Sequence, residues 1–139
     1  MVGLAYLYDT GNYYLLIKTR EEEVGSPDLD LEHPARLRLL RSSHFQVTDV
    51  IEGIPVPEKR KLYLRVTTAK MGLNARFSYS LDGETFEDLA EVSTDILTDE
   101  QSEGFTGAHF GMYCHDMTGQ RAYADFDYFE IEKEFRRNV

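Results

Sequence analysis

The side chains able to do chemistry in this sequence are scattered acids, four histidines and one thiol. Asp28, Asp30 and Glu32 alternate as at the start of a calcium loop, but such a loop needs glycine where His33 stands and a bidentate glutamate where Leu39 stands. An EF-hand is excluded, and a solvated acidic loop remains. Cys114 and His115 set a thiol beside an imidazole, yet neighbours on a strand point to opposite faces and cannot share a proton. Cys114 therefore reads as core filler. His33, His44, His109 and His115 lack the spacing of a zinc site. Asp125 and Asp127 share one face of an alternating stretch and are the candidates for a bound cation or a carboxylate pair. The same face carries Phe129 and Ile131, so edge solvation or capping of a neighbouring loop competes with both uses. Glycoside hydrolysis needs two carboxyl groups facing each other across a bond, and nothing in the spacing places two here. Neither a cofactor nor a metal is expected.

Aromatic side chains are the other resource. Phe105, Phe110, Tyr113, Tyr123, Phe126, Tyr128 and Phe129 crowd one stretch near the end of the chain. They could line a sugar site, build a core, or both. A ring beside polar groups suits the C–H face and hydroxyls of a sugar, which makes Tyr63, Tyr113 and Phe105 the candidate stacking platforms. In an alternating strand, Ala108, Phe110, Met112 and Cys114 fall on one face and His109, Tyr113 and His115 on the other, so one set is core. Phe105 sits instead in a turn between Gly104 and Thr106-Gly107, where so large a side chain either tucks under its own sheet or finds a neighbour outside it.

The elements that position these residues are strands. Leu62, Leu64 and Val66 share one face of Lys61 to Thr67, and Asn74 to Leu81 repeats the alternation after a break at Met71-Gly72, so the two pair antiparallel. Asp82-Gly83 is a hairpin signal. Gly3 to Tyr8 and Asn12 to Thr19 flank the turn Asp9-Thr10-Gly11, and the second of these strands, apolar on both faces, is central. Further strands are expected at Arg36 to Arg41, Phe45 to Ile51, Ala108 to His115 and Ala122 to Glu132. Ser93 to Gln101 offers a helical turn or two capped by Ser93 or Thr94. Glu21 to Pro34 reads as an exposed acidic loop. Many short strands separated by turn signals give an all-β, antiparallel two-sheet sandwich.

With 139 residues, 42% of them hydrophobic and 12% aromatic, one core and one domain spanning 1–139 are expected. No apolar stretch approaches the roughly 18 residues that cross a bilayer, and the opening MVGLAYLYDTGNYY has neither a basic n-region nor a cleavage site, so an unprocessed chain is expected. A net charge of -10, from 25 acidic and 15 basic side chains, repels nucleic acid and anionic membranes. The single cysteine is compatible with a reducing cytoplasm, where the chain is expected.

Four motifs in order carry a resemblance: Phe77-Ser78-Tyr79-Ser80-Leu81-Asp82-Gly83, Gly104-Phe105-Thr106-Gly107-Ala108, Asp116-Met117-Thr118-Gly119-Gln120-Arg121 and Ala124-Asp125-Phe126-Asp127-Tyr128-Phe129. With the upstream strand pair GLAYLYDTGNYYLLI, they resemble the C-terminal β-sandwich of family-43 glycoside hydrolases, the β-xylosidases and α-arabinofuranosidases, over Gly3 to Glu132. The resemblance implies a concanavalin A-like jelly-roll sandwich beside a catalytic five-bladed propeller that carries an aspartate base, a glutamate acid and a second, pKa-tuning aspartate. None of those carboxylates lies in this chain. It also implies a domain that begins several strands before Gly3, so the sandwich looks N-terminally truncated. In the intact family a phenylalanine from the sandwich helps wall the sugar pocket, and Phe105 is the matching position.

Three functions follow as expectations. The chain is the accessory sandwich of a β-xylosidase, shaping the pocket for a xylo-oligosaccharide or related glycoside on a propeller absent from this chain and not catalytic alone. Alternatively it is a free-standing carbohydrate-binding module, or an inert remnant. Strands without neighbours leave unpaired N–H and C=O groups, so a homo-oligomer through exposed strand edges is expected.

Overall fold

The structure, a computed structural model, describes residues 1–19, 35–57, 61–69, 73–98, 108–114, 126 and 129–130. Its strands are β1 (Val2–Asp9), β2 (Asn12–Thr19), β3 (Ala35–Ser43), β4 (Gln46–Val56), β5 (Tyr63–Ala69), β6 (Asn74–Ser80), β7 (Glu87–Ser93) and β8 (His109–Cys114). They form an antiparallel five-stranded sheet in the order β4-β3-β2-β1-β8 and a three-stranded sheet in the order β5-β6-β7.

β2 is central, as its two apolar faces require. Tyr14 and Leu16 point towards the three-stranded sheet and join Tyr6, Tyr8, Leu37, Leu39, Ala75 and Phe77 in the main core. Leu15 and Ile17 point the other way and pack with Ala5 in a second cluster. Tyr14 also ties the layers together. Its ring lies 5.8 Å from that of Phe77, and its hydroxyl donates to the Ser93 carbonyl at 2.8 Å.

Several elements differ from expectation for physical reasons. β7 is absent from the sequence reading because its period is broken by a bulge: Phe77 pairs with Ala90 but Ser78 with Asp88, so Leu89 is inserted between them. The helix expected from Ser93 is a single 3-10 turn, Asp95–Leu97, whose Ile96 and Leu97 are buried in the main core. Ser93 Oγ accepts from the Asp95 N–H at 3.3 Å, whereas the Thr94 side chain makes no cap bond. Phe45 belongs to a turn, not to the start of β4.

The reading of Cys114 as core filler is corrected: its thiol is exposed. Cross-strand partners Leu4 and Met112, and Tyr6 and Phe110, put Phe110, Met112 and Cys114 on the inner face of the larger sheet. Among the described strands β8 is however an edge strand, and there Phe110 is 38% and Met112 54% exposed. Of the strand expected over Ala122 to Glu132, the described residues Phe126, Phe129 and Glu130 lie outside any strand and are exposed. The acidic loop Glu21 to Pro34 lies outside the described residues.

Candidate functional site

One end of the larger sheet gathers the most specific polar geometry. β1 ends there at Asp9, β2 starts at Asn12, β3 ends at Ser43, β4 starts at Gln46, and β8 enters with His109 opposite Leu7. The sequence Asp9-Thr10-Gly11-Asn12 makes a turn closed by its own aspartate: Asp9 Oδ1 accepts from the Gly11 N–H at 2.8 Å and from Asn12 Nδ2 at 3.0 Å. These donors favour the ionised form. The Gly11 N–H bond is the main reason that the Asp9 carboxyl is held below its usual range. A carboxylate so committed is an acceptor and no proton donor near neutrality.

The β3–β4 turn is fastened onto this one. The Gly11 carbonyl accepts from the Phe45 N–H and from Ser42 Oγ, each at 2.9 Å, and buried Asn12 accepts through Oδ1 from the His44 N–H at 3.0 Å. The Phe45 ring lies over Gly11, where a Cβ would come within 2.8 Å of Cε2. A side chain at position 11 would push that ring aside. Phe45 is nevertheless 75% exposed, so what this end presents to its surroundings is an apolar ring on a polar base.

The two described stacking candidates lie on different sheets. Tyr63, in β5, is half-buried with its ring against Gly83, whose φ of +79° belongs to the turn between β6 and β7. The turn is organised by Asp82, whose Oδ1 accepts from the Glu84 and Thr85 N–H groups at 2.8 Å each; those bonds, with Ser80 Oγ, hold its pKa down. Tyr113, in β8, packs half-buried against Ala5, Leu15 and Ile17, and loss of solvent raises its pKa. Both rings are partly used in packing. His44 is in the β3–β4 turn and His109 is exposed at the start of β8.

Phe105, Asp125, Asp127, Asp28, Asp30, Glu32, His33 and His115 lie outside the described residues. Among the described residues no group of three or more His, Cys, Asp or Glu side chains could hold a metal ion. The His44-Phe45 turn carries no sequence signal: it has two residues, and neither is the Gly, Asn or Asp that marks a two-residue hairpin.

The family description "Beta xylosidase C-terminal Concanavalin A-like domain" matches residues 1–132. A beta-xylosidase of Bacillus subtilis (strain 168) is 30% identical over 137 residues, 95% of this chain and 24% of that protein. A xylosidase/arabinosidase, 43B, of Humicola insolens is 37% identical over 86 residues, covering 58% of this chain and 16% of the relative. Among solved structures, a xylan beta-1,4-xylosidase from Bacillus halodurans C-125 superposes with a TM-score of 0.72 at 21% identity, over 86% of this chain and 22% of that one. The chain thus spans about a quarter or less of the length of these relatives.

Proposed function

We propose a function from an established membership: the chain belongs to the family of β-xylosidase C-terminal concanavalin A-like domains, and it acts as the accessory domain of a β-xylosidase-type glycoside hydrolase. It shapes the pocket for a xylo-oligosaccharide or related glycoside on a catalytic β-propeller that is not in this chain, and does no chemistry alone. The observation that carries the reading is the match over residues 1–132 by a chain spanning 24% of its Bacillus subtilis relative. Local chemistry agrees. Asp9 and Asp82, the described carboxylates with displaced pKa values, are both held ionised by turn donors, the opposite of what a general acid needs. Phe105, by the family motif around it, is the residue of this domain that walls the sugar pocket.

The test is hydrolysis of an aryl xyloside by the purified chain. Turnover should stay at background, because positioned acid–base assistance alone is worth ~10²–10⁴-fold. Turnover that disappears on changing Asp125 or Asp127, and on changing no other carboxylate, would overturn the reading.

A homo-oligomer belongs to the same proposal. It is supported by the edge strand β8, where Phe110 and Met112 leave inner-face apolar surface exposed. Light scattering should give a mass above 16.0 kDa, and a compact monomer at high concentration would contradict it.

A further inference from the structure

The β3–β4 turn is built against the preference of its own residues. Ser43 pairs with Gln46, leaving a two-residue loop in which His44 has φ 49° and Phe45 has φ 67°. Two consecutive positive φ values are the type I′ pattern, which Asn-Gly adopts at little cost and which β-carbons of larger side chains resist. Here neither residue is Gly, Asn or Asp. The conformation is imposed from outside the turn, by the Phe45 N–H bond to the Gly11 carbonyl, the His44 N–H bond to Asn12 Oδ1 and the Ser42 Oγ bond to the same Gly11 carbonyl. A strained backbone persists only where its surroundings over-determine it.

What the strain achieves is the placement of one ring. Phe45, at 75%, is the most exposed large apolar side chain among the described residues. One edge of its ring is supported by the glycine backbone of Gly11, and the rest stands in solvent at the end of the sheet. Within this chain the arrangement is doubly unfavourable, because an Asn-Gly pair would relax the backbone and remove the exposed ring. Burial of the ring against another surface would offset both costs. A copy of this chain would most readily engage β4 and β8, the edge strands of the larger sheet among the described residues, whereas Phe45 projects from the end of the sheet, beyond the ladder hydrogen bonds. The Bacillus subtilis relative is about four times the length that this chain spans, so in such a protein most of the neighbouring surface is the rest of the same polypeptide.

We propose that the His44-Phe45 turn is a docking knob for the catalytic portion of the enzyme, with the Phe45 ring seated in an apolar hollow of that portion. The proposal rests on the accessory-domain reading above and adds to it a contact that no sequence motif marks. The pre-set turn lowers the ordering cost of association, since the ring is already held in its docked position.

Hydroxyl-radical footprinting tests it, with this chain alone and with this chain joined to the catalytic portion of the Bacillus subtilis relative in place of that protein's own matching quarter. Activity of the joined protein on an aryl xyloside reports on the accessory-domain reading, and the footprint reports on the knob. The Phe45 ring should oxidise readily in the chain alone and about tenfold more slowly in the active joined protein. Equal oxidation in an active joined protein overturns the knob and leaves the accessory reading standing; an inactive joined protein sinks both. Protection in the chain alone that grows with concentration assigns the ring to a second copy and overturns the proposal. The double change His44→Asn with Phe45→Gly gives an independent check: it should raise the melting temperature of the chain alone and lower that of the catalytic portion in the joined protein. A fall in the melting temperature of the chain alone would show that the turn serves its own fold, against the proposal.

Discussion

The Tyr14 hydroxyl donates to the Ser93 carbonyl at 2.8 Å, from the centre of one sheet to the last residue of an edge strand in the other. Tyr14 is 2% exposed while Ser93 is exposed, so the bond is partly buried and water can reach its acceptor. Tyr14→Phe keeps the ring against Phe77 and removes the bond. An ordinary hydrogen bond is worth about 0.5–1.5 kcal/mol net, and urea unfolding of the variant should show a loss in that range. A change within about 0.5 kcal/mol, the range of ordinary surface sites, would show that the two layers are not tied by this bond.

Alkaline pH should loosen the same core. Burial raises the phenol pKa of Tyr6 and Tyr14 above the ordinary value of about 10, because the buried ring resists ionising. A group whose folded pKa is raised contributes stability that is complete below its unfolded pKa. That contribution is lost as pH climbs from about 10 through the higher folded values. Urea midpoints followed across this range should fall, and Tyr14→Phe should remove part of the slope. A midpoint that is flat to pH values well above 10 would contradict the burial assigned to these rings.

At the acid end the sign reverses. Donors from Gly11 and Asn12 hold the Asp9 carboxyl below 3.8, so its contribution is present above that value and is lost as pH falls through the folded pKa. Asp9→Asn keeps an oxygen to accept from the Gly11 N–H but removes the titration. The variant should be less stable than the parent at neutral pH, and the difference should shrink as pH drops below about 4. A constant difference across the whole range would mean that the charge on Asp9 does not matter.

The strand plan was legible wherever alternation was clean. β1, β2, β5 and β6 follow their apolar spacing, and the two-sided character of β2 announced its central place. β7 escaped because one inserted residue, Leu89, breaks the period that identifies a strand. Cys114 was misplaced because alternation assigns a face but not what covers that face, and its strand lies at an edge. The His44-Phe45 turn was invisible for a related reason. Its conformation is dictated by Gly11 and Asn12, some thirty residues earlier, and local propensity argues against it. Tyr63 and Tyr113 stand out in the sequence as candidate stacking rings, and only the structure shows how much of each is already spent on Gly83 and on Ile17 and its neighbours.

Whether this domain completes a sugar pocket without doing chemistry is tested most directly by aryl-xyloside hydrolysis, measured for the chain alone, for the chain joined to a propeller, and for the joined protein carrying Phe105→Ala. We expect no turnover, turnover, and a kcat/KM lower by tenfold or more, the last equivalent to about 1.4 kcal/mol of lost transition-state stabilisation. Phe105→Ala in the chain alone should then cost little stability, within about 0.5 kcal/mol. Unchanged kcat/KM in the joined protein, together with a loss of roughly 3–5 kcal/mol in the chain alone, would place Phe105 in this domain's own core and contradict the pocket-completing role.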